Sequence, residues 1–495
     1  MALLLGYDVG SSSVKATLME AGTGKVFGAA TSPNRELEII AKKPGWAEQD
    51  PETWWEHVKL ATAKIRERTQ FDPWDVKAIG ISYQMHGLVA VDRYKRVLRP
   101  SIIWCDSRAV QIGQAAAKAI GPKKCLQKLL NLPGNFTASK LKWVKDNEPK
   151  LYARIDKIML PGDYIAMKMT GEIKTTPSGL SEGILWDYEK DALAEFVLAN
   201  YGISPDLIPE RVPTFSVQGE LTTEAADELG LKTATKIGYR AGDQPNNALS
   251  LSVLQPGEIA VTAGTSGVVY GVTDKKNYDP KSRVNVFVHV NHSEKKPRYG
   301  VLLCVNGTGI LNSWLKQNFA GEGMDYPQMN ELAAQAPVGS DGLTILPYGN
   351  GAERTLENRD LRASVHGWSF TIHKKPHFLR AAQEGIVFAL QNGLTIMTEM
   401  GARLKTVKAG NANMFLSPLF AEAFATTTGA TVELYNTDGS QGAARGAGIG
   451  TGFYRGTNDA FVGLEPVRTV APNKQLKKAY QAAYENWAEM LGKQL

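Results

Sequence analysis

The chain has 495 residues, of which 43% are hydrophobic and 21% are charged, and its formal net charge is +6 at pH 7. These values are typical of a globular protein with more than one domain and enough apolar material for large cores. Because no block of five or six like charges occurs, neither a nucleic-acid nor a membrane partner is predicted.

The cysteines and the first residues indicate the compartment. Cys105, Cys125 and Cys304 lie far apart and form no CxxC or other metal-binding spacing, so neither a disulfide framework nor a zinc site is predicted. The chain starts directly with an apolar strand pattern, and no apolar run reaches the length needed to span a membrane. The default expectation is therefore a reducing, cytoplasmic location.

The first predicted element is a β-hairpin at the start of the chain. An apolar run over 3–5 leads to Asp8 and then to the small polar turn 10–13, after which apolar residues alternate again. This pattern predicts a strand, a tight turn and a second strand. Two interpretations are open at this point. In the first, the turn simply reverses the chain. In the second, its N–H groups and hydroxyls hold a phosphate, and Asp8 binds the accompanying metal ion.

The next elements alternate between helix and strand. Asp50 and Pro51 predict a helix start, because aspartate caps free N–H groups and proline tolerates the first helical position. Apolar residues then predict strands over 76–83 and 88–92, which flank the tetrad QMHG at 84–87. This order is typical of α/β proteins, and it places the tetrad at the exit of a strand.

A second hairpin repeats the first about half a chain later. Residues 257–272, GEIAVTAGTSGVVYGV, again predict strand, small polar turn and strand. The repeat predicts a duplicated architecture, with lobes over 1–247 and 248–495 that face each other across a cleft. Two such turns could grip adjacent phosphates through their N–H groups. Neither turn matches GxxxxGK[ST] or GxGxxG, which leaves the actin-like ATPase architecture.

Motifs along nearly the whole chain resemble, in order, those of the FGGY carbohydrate kinases. The motifs are GYDVGSSSVKATL (6–18), PGWAEQDPETWW (44–55), SYQMHG (82–87), IIWCDSR (102–108), ASKLKWVKDNEP (138–149), LPGDYIAMKMTGE (160–172), AGDQPNNAL (241–249), TAGTSG (262–267), LPYGNGAERT (346–355), RAAQEGIVFAL (380–390) and GSQGAARGAGIG (439–450). The resemblance implies an α/β fold of two duplicated actin-like (ribonuclease H-like) ATPase lobes around a central cleft. It also implies ATP-dependent transfer of the γ-phosphoryl group to a ketose hydroxyl, with D-xylulose giving D-xylulose 5-phosphate. Mg²⁺ is the implied cofactor, and a homodimer is the family-level expectation.

Two acidic residues carry the predicted chemistry. Phosphoryl transfer needs positioning, charge neutralisation and a base for the hydroxyl proton. By resemblance Asp243 is the catalytic aspartate, although its sequence context also fits a simple cap on a helix starting at Gln244. Asp8 would hold Mg²⁺ through water beneath the β- and γ-phosphates, since Mg²⁺ keeps much of its hydration shell. The alternative for Asp8 is an acid that merely begins a turn.

The ATP-binding residues follow from the two turns and from the resemblance. The first phosphate turn comprises Gly10, Ser11, Ser12 and Ser13, and the second comprises Gly264, Thr265 and Ser266. The adenosine candidates are Gly309, Gly410 and Asn413. Many family members carry a GGGA-type stretch where this chain reads KAGNANMFLSPLF (408–420), with a single glycine. This departure leaves the nucleotide preference open.

The sugar site is carried over from the family residue by residue. The predicted set is Met85, His86, Asp106 and Asp243. A polyol needs several polar partners at once, because an unpaired buried polar group costs roughly 1–3 kcal/mol. Asp106 could accept hydrogen bonds from two hydroxyls, and Trp104 could supply an apolar wall. Arg108 is either a substrate contact or a buried structural partner of Asp106.

Two other readings remain open from the sequence. The substrate could be another ketose or polyol, such as ribulose, fuculose or an erythritol-like compound. A different class is an actin-like ATPase whose lobe closure drives chaperone or regulatory binding without any small substrate. Such a protein would not need the polar residues of the predicted sugar site, and it would usually carry an added peptide-binding or filament segment.

Overall fold

Two mixed β-sheets form the centre of the molecule, one in each half of the chain. The computed structural model describes residues 1–321 and 323–495. The first sheet contains, in spatial order, Phe215–Glu220, Lys236–Gly242, Val76–Tyr83, Leu3–Val9, Val14–Glu20 and Val26–Ser32. The second contains Asn285–Val288, Tyr299–Val305, Gly267–Thr273, Ile259–Ala263, Thr406–Gly410, Thr431–Tyr435 and Pro466–Val470.

The two sheets share one pairing pattern. In each sheet the first strand of the hairpin, Leu3–Val9 or Ile259–Ala263, pairs antiparallel with the second strand of that hairpin. On its other side the same strand pairs parallel with a strand from later in the chain, Val76–Tyr83 or Thr406–Gly410. A second parallel strand and an antiparallel edge strand then complete that side. The second sheet adds Asn285–Val288 as a further edge strand. The duplicated α/β architecture predicted from the two hairpins is therefore confirmed.

The predicted hairpins and the third strand form where the sequence places them. Leu3–Val9 pairs with Val14–Glu20, and Ile259–Ala263 pairs with Gly267–Thr273. The strand Val76–Tyr83 runs parallel to the first strand, so that Val9 and Tyr83 end at the same edge. Because Lys236–Gly242 also ends beside Tyr83, three carboxyl ends meet there, which is where open α/β sheets bind ligands.

Helices cover both sheets and fill the connections between them. They are Pro51–Thr69, Val110–Ile120, Pro122–Leu129, Thr137–Asn147, Pro149–Tyr152, Pro161–Thr170, Pro177–Glu182, Glu195–Tyr201, Thr223–Leu229, Asp243–Ser250, Gly309–Asn318, Tyr326–Ala333, Lys375–Glu399, Pro418–Thr428, Gly439–Gly450 and Lys477–Gln494. The first begins at Pro51, with the Asp50 carboxylate accepting from the N–H of Glu52, as predicted. Its buried face is aromatic and aliphatic, including Trp54, Trp55 and Val58.

Smaller elements shape the loops around the cleft. The short strand pairs are Glu48–Gln49 with Ser101–Ile102, Val89–Val91 with Lys157–Met159, Trp186–Asp187 with Ala192–Leu193, Lys174–Thr175 with Glu210–Arg211, and Thr344–Leu346 with Ser364–His366. The 3₁₀ turns are Pro73–Asp75, Pro205–Leu207, Ser340–Gly342, Arg354–Leu356, Asn413–Leu416 and Thr457–Phe461. Across residues 1–321 and 323–495, no helix combines the length and apolarity that crossing a membrane requires.

One helix from the second half of the chain packs on the sheet of the first half. Helix Gly439–Gly450 lies across the strands that carry Gly6 and Gly80, and a β-carbon at either glycine would collide with the helix backbone. The Asn246 amide also donates to the carbonyl of Gly439 at 2.8 Å. The two halves of the chain therefore pack against each other. The predicted lobe boundary at residue 247 falls within helix Asp243–Ser250 and stays a prediction.

Candidate functional site

Asp8 lies at the edge of the first sheet where the three strands end. Its Oδ1 accepts a hydrogen bond from the Ser82 hydroxyl at 2.9 Å, so Ser82 fixes the orientation of the carboxylate. Burial raises the pKa of Asp8 above its usual range, and the nearby charge of Asp438 acts in the same direction. A buried carboxylate with another acid beside it is an environment that favours a bound cation.

Asp243 stands beside Asp8 as the first residue of helix Asp243–Ser250. The helix begins one residue earlier than predicted, so Asp243 belongs to its first turn rather than capping a start at Gln244. Burial, together with the charge of Asp8, raises the pKa of Asp243 to about 7. A carboxyl group with a pKa near neutrality is matched to taking a proton from a hydroxyl at physiological pH.

The carbonyls at positions 11–13 of the first turn are occupied, whereas among the turn's N–H groups only that of Gly10 has an acceptor within the described residues. The Gly10 N–H donates to the Ser13 carbonyl at 3.0 Å. The Ser11 carbonyl accepts from the Gln49 amide at 2.7 Å, and the Ser12 carbonyl accepts from the Leu37 N–H at 2.8 Å. Within the described residues, the N–H groups of positions 11–13 have no protein acceptor. Free N–H groups on an anchored turn are the arrangement that binds anions.

The second turn borders a large cavity. Its carbonyls at Gly264 and Thr265 accept from the N–H groups of Gly309 and Ile310, which start the helix Gly309–Asn318. The cavity has a volume of about 850 Å³ and is lined by Ala263, Gly264, Thr265, Gly309, Ile310, Asn312, Ser313, Tyr326, Pro327, Asn330, Glu331, Ala334, Asn413, Met414, Leu416, Ser417, Pro418 and Leu419. Its size is within the range of small-molecule sites.

The cavity brings together four of the predicted nucleotide residues. Gly264, Thr265, Gly309 and Asn413 line it, whereas Ser266 does not. Gly410 is also absent from the lining, because it ends the strand Thr406–Gly410 before the 3₁₀ turn that carries Asn413.

Sequence reasoning missed most of the polar lining. Asn312 and Ser313 follow Gly309 by one helical turn and so lie on the same face of the helix. Helical periodicity counted from Gly309 would therefore have predicted them. Asn330 and Glu331 come from helix Tyr326–Ala333, which carries no local signal for ligand binding.

Met85 and His86 form a turn next to Asp243. Met85 is buried, and its side chain lies against Gly242, the residue before Asp243. His86 has a left-handed backbone with φ of 62°. Its ring packs on Phe136 at 4.8 Å and on Phe287 of the second half of the chain at 5.5 Å, measured between ring centroids. Burial and the neighbouring Lys140 charge lower the pKa of His86 to about 3, so its ring is neutral at physiological pH.

Two buried charged residues that the sequence did not single out hold this turn. The Oε1 of Glu182 accepts from the His86 N–H at 3.2 Å, and the Glu182 carbonyl lies 2.9 Å from His86 Nδ1. The Lys140 ammonium donates to the carbonyls of His86 at 2.8 Å and Ile103 at 2.9 Å. Lys140 belongs to the motif at 138–149, which could have drawn attention to it, whereas Glu182 has no local signal.

Asp106, the remaining sugar-site candidate, is fully buried. Its carboxylate accepts from the Ala47 N–H at 2.6 Å and from Nε and an NH₂ group of Arg108 at 3.0 and 2.7 Å. Arg108 also pairs with Glu48 at 2.7 Å. This arrangement favours the structural alternative for Arg108, and direct contact between Asp106 and a sugar stays a prediction. Trp104 is half exposed, and its Nε1 donates to the Ser11 hydroxyl at 3.2 Å.

The residues at this edge are compatible with a magnesium ion. Among residues 1–321 and 323–495, no group of three or more histidine, cysteine, aspartate or glutamate side chains forms a metal cage. Mg²⁺ is commonly bound by one or two carboxylates together with substrate phosphates and water rather than by an all-protein cage. Asp8, with one carboxylate oxygen free of Ser82 and the free amides of the first turn beside it, meets that requirement.

Known proteins and family models match this chain over most of its length. Residues 3–250 match the N-terminal domain and residues 259–450 match the C-terminal domain of the FGGY family of carbohydrate kinases. Xylulose kinase from Bacillus subtilis is 30% identical over 92% of this chain and 89% of its own length. Xylulose kinase from Escherichia coli is 28% identical, with 99% and 98% covered. The crystal structure of xylulose kinase from Rhodospirillum rubrum superposes with a TM-score of 0.86 at 25% identity, covering 99% and 98% of the two chains.

Proposed function

The chain belongs to the FGGY family of carbohydrate kinases, and from this premise we propose that it transfers the γ-phosphoryl group of ATP to D-xylulose, giving D-xylulose 5-phosphate. It is an ATP-dependent sugar kinase. The observation that carries the proposed site is the placement of Asp243, with a pKa raised to about 7, beside Asp8 and next to the Met85–His86 turn. We also propose a cytoplasmic location and, from the family, a homodimer.

Asp243 acts as the general base in this proposal. Its ionised carboxylate accepts the proton of the C5 hydroxyl as that oxygen attacks the γ-phosphorus and the bond to the ADP oxygen breaks. The two turns hold the phosphate oxygens through N–H groups, where the transition state is anionic and loosely bonded. Mg²⁺, held by Asp8 through water, supplies charge neutralisation when bound. Lobe closure excludes water, which would otherwise compete with the sugar for the phosphoryl group.

The large cavity is the proposed adenosine site. It adjoins the second turn at Gly264 and Thr265, so a nucleotide in it would direct its phosphates towards that turn. The first N–H groups of helix Gly309–Asn318 are already bonded to the turn's carbonyls and hold the turn in place. The exposed apolar walls at Ile310 and Leu416 suit the faces of a base. Asn330 and Glu331 offer polar groups to its edge or to the ribose.

Replacing Gly309 by valine is expected to raise the KM for ATP at least about tenfold while leaving the KM for the ketose within about twofold. A β-carbon at position 309 would collide with the Gly264 carbonyl, so the helix start and the second turn must move apart. Steady-state kinetics with each substrate varied in turn measures the effect. Gly456→Val is the control, since no atom lies within 4 Å of a β-carbon there. An unchanged KM for ATP would remove the second turn from the nucleotide site.

Substrate identity is tested by ADP release across a panel of pentuloses, hexuloses and polyols. We expect kcat/KM to be highest for D-xylulose by at least about tenfold, because a misplaced hydroxyl leaves a buried polar group unpaired at roughly 1–3 kcal/mol. If kcat/KM is higher for another ketose, that ketose, and not D-xylulose, is the substrate. ATP hydrolysis that no sugar stimulates would instead support an actin-like ATPase without a small substrate.

A further inference from the structure

His86 is held at three polar positions by two other segments of the chain. Its N–H donates to the Glu182 carboxyl group, its carbonyl accepts from the Lys140 ammonium, and its Nδ1 meets the Glu182 carbonyl. The left-handed backbone at His86 is unfavourable for a residue other than glycine, so these contacts stabilise a conformation that the local sequence disfavours.

The Nδ1 contact decides the tautomer of the ring. A carbonyl oxygen can only accept, so at 2.9 Å from the Glu182 carbonyl Nδ1 must carry the proton. The other nitrogen, Nε2, makes no hydrogen bond within the described residues and is not among their buried unpartnered atoms. In the neutral ring Nε2 therefore carries a lone pair, so it can accept a hydrogen bond from a hydroxyl but cannot donate one.

Glu182 and Lys140 are both buried, which is unusual for ionisable side chains. Each is fully removed from solvent, although buried charged side chains are costly unless they are paired. Oε2 of Glu182 has no hydrogen-bond partner among the described residues and lies where a β-carbon on Gly242 would collide with it. Burial raises the pKa of Glu182 well above its usual value. Because burying the Glu182 and Lys140 side chains is energetically costly, their position next to Asp243 indicates a function beyond packing.

We propose that Glu182 and Lys140 are positioning residues for the sugar, which fix His86 in its left-handed turn with Nε2 aimed as a hydrogen-bond acceptor for a sugar hydroxyl. This inference rests on the proposed kinase function, which it deepens by assigning the direction of one hydrogen bond. A hydroxyl at that position must donate, so an analogue in which the hydroxyl is replaced by fluorine or hydrogen loses this contact.

The first experiment measures the kinetic effect of removing either of the two anchors of the His86 turn, the side chains of Glu182 and Lys140. Glu182→Leu leaves the His86 N–H without an acceptor, and Lys140→Met frees the His86 carbonyl. Each is expected to raise the KM for the best ketose of the panel about 10- to 100-fold, with the KM for ATP within about twofold. Glu182→Gln keeps an acceptor oxygen for the His86 N–H, so its ketose KM is expected to stay within about threefold of that of the parent protein.

A matched control separates positioning from general stability. Ser139 precedes Lys140 on helix Thr137–Asn147, is equally buried, and hydrogen-bonds Tyr201 instead of the turn. Ser139→Ala is expected to lower Tm without changing the ketose KM. If the anchor variants lower Tm but leave the ketose KM unchanged, or raise both KM values alike, the positioning role is overturned.

The second experiment depends neither on activity nor on the Glu182 and Lys140 variants. Two-dimensional ¹⁵N NMR of histidine-labelled protein without substrate distinguishes the Nδ1–H ring from the Nε2–H ring, with His86→Gln assigning the signal. We expect the Nδ1–H form for His86, and an Nε2–H form would refute the acceptor role. Because this readout needs no sugar, failure of D-xylulose as a substrate would overturn the proposed substrate and leave the His86 geometry to be judged separately.

Discussion

Replacing Asp243 by asparagine is expected to lower kcat by about 10²- to 10⁴-fold, the range typical of a lost general base. The amide keeps the size of the side chain at the start of helix Asp243–Ser250, but it cannot accept the hydroxyl proton. The coupled ADP-release assay measures the loss. Calorimetric binding of ATP and of the ketose should persist, because neither ligand relies on proton transfer to bind.

The exposed Asp227 of the same lobe provides the control, since Asp227→Asn removes the same charge from the surface and should leave turnover unchanged. Retained turnover in Asp243→Asn would sink the catalytic assignment and leave Asp243 as a helix-start residue. Loss of ketose binding together with turnover would instead make Asp243 primarily a ligand of the sugar.

The raised pKa of Asp243 gives this prediction a pH signature. The base must be ionised, so kcat/KM for the ketose should rise with pH and level off above about 7. Stability should change in the opposite sense. The folded state keeps the Asp243 proton up to about pH 7 while the unfolded chain loses it near pH 4, so the free energy of unfolding falls as pH rises through that window.

Asp243→Asn escapes that cost, so urea unfolding should find it more stable than the parent above pH 7, by about 4 kcal/mol, and equal to it below pH 4. Lower activity with higher stability is the signature expected when an active-site group is held in an environment that disfavours its ionised form. A variant that is less stable at pH 8 would show that the carboxylate stabilises the fold.

Replacing Asp8 by asparagine is expected to lower kcat/KM for ATP at least about 100-fold and to raise the Mg²⁺ concentration needed for half-maximal activity. The amide can still accept from Ser82, so the turn keeps its shape while the charge that attracts the cation is lost. Magnesium titrations at saturating ketose measure both quantities, and circular dichroism verifies the fold.

Ser82→Ala is the matched variant for this experiment, because it removes the hydrogen bond to Asp8 but leaves the charge. Its effect should be a small fraction of that of Asp8→Asn. If Asp8→Asn left Mg·ATP turnover untouched, the first hairpin would be a chain reversal without a metal-binding role, which is the simpler interpretation of its sequence.

The sequence by itself determined the features that depend on near neighbours. Alternating apolar residues around small polar turns specify both hairpins, and Asp50 with Pro51 specifies a helix start, because the relevant contacts span only a few residues. The same locality placed Asp8 at the end of the first strand and Asp243 at the start of a helix. The half-chain repeat of the hairpin then predicted the duplicated sheets, since equal patterns fold into equal local units.

Only the folded chain shows which side chains meet in the proposed sugar and nucleotide sites. His86 is held by Glu182, 96 residues away, and by Lys140, 54 residues away. No local pattern encodes such pairings, because strand alternation gives the face of a residue but not its partner across the fold. The carboxylate of Asp106 illustrates the same limit, since only the folded chain reveals that Arg108 and Ala47 already occupy it.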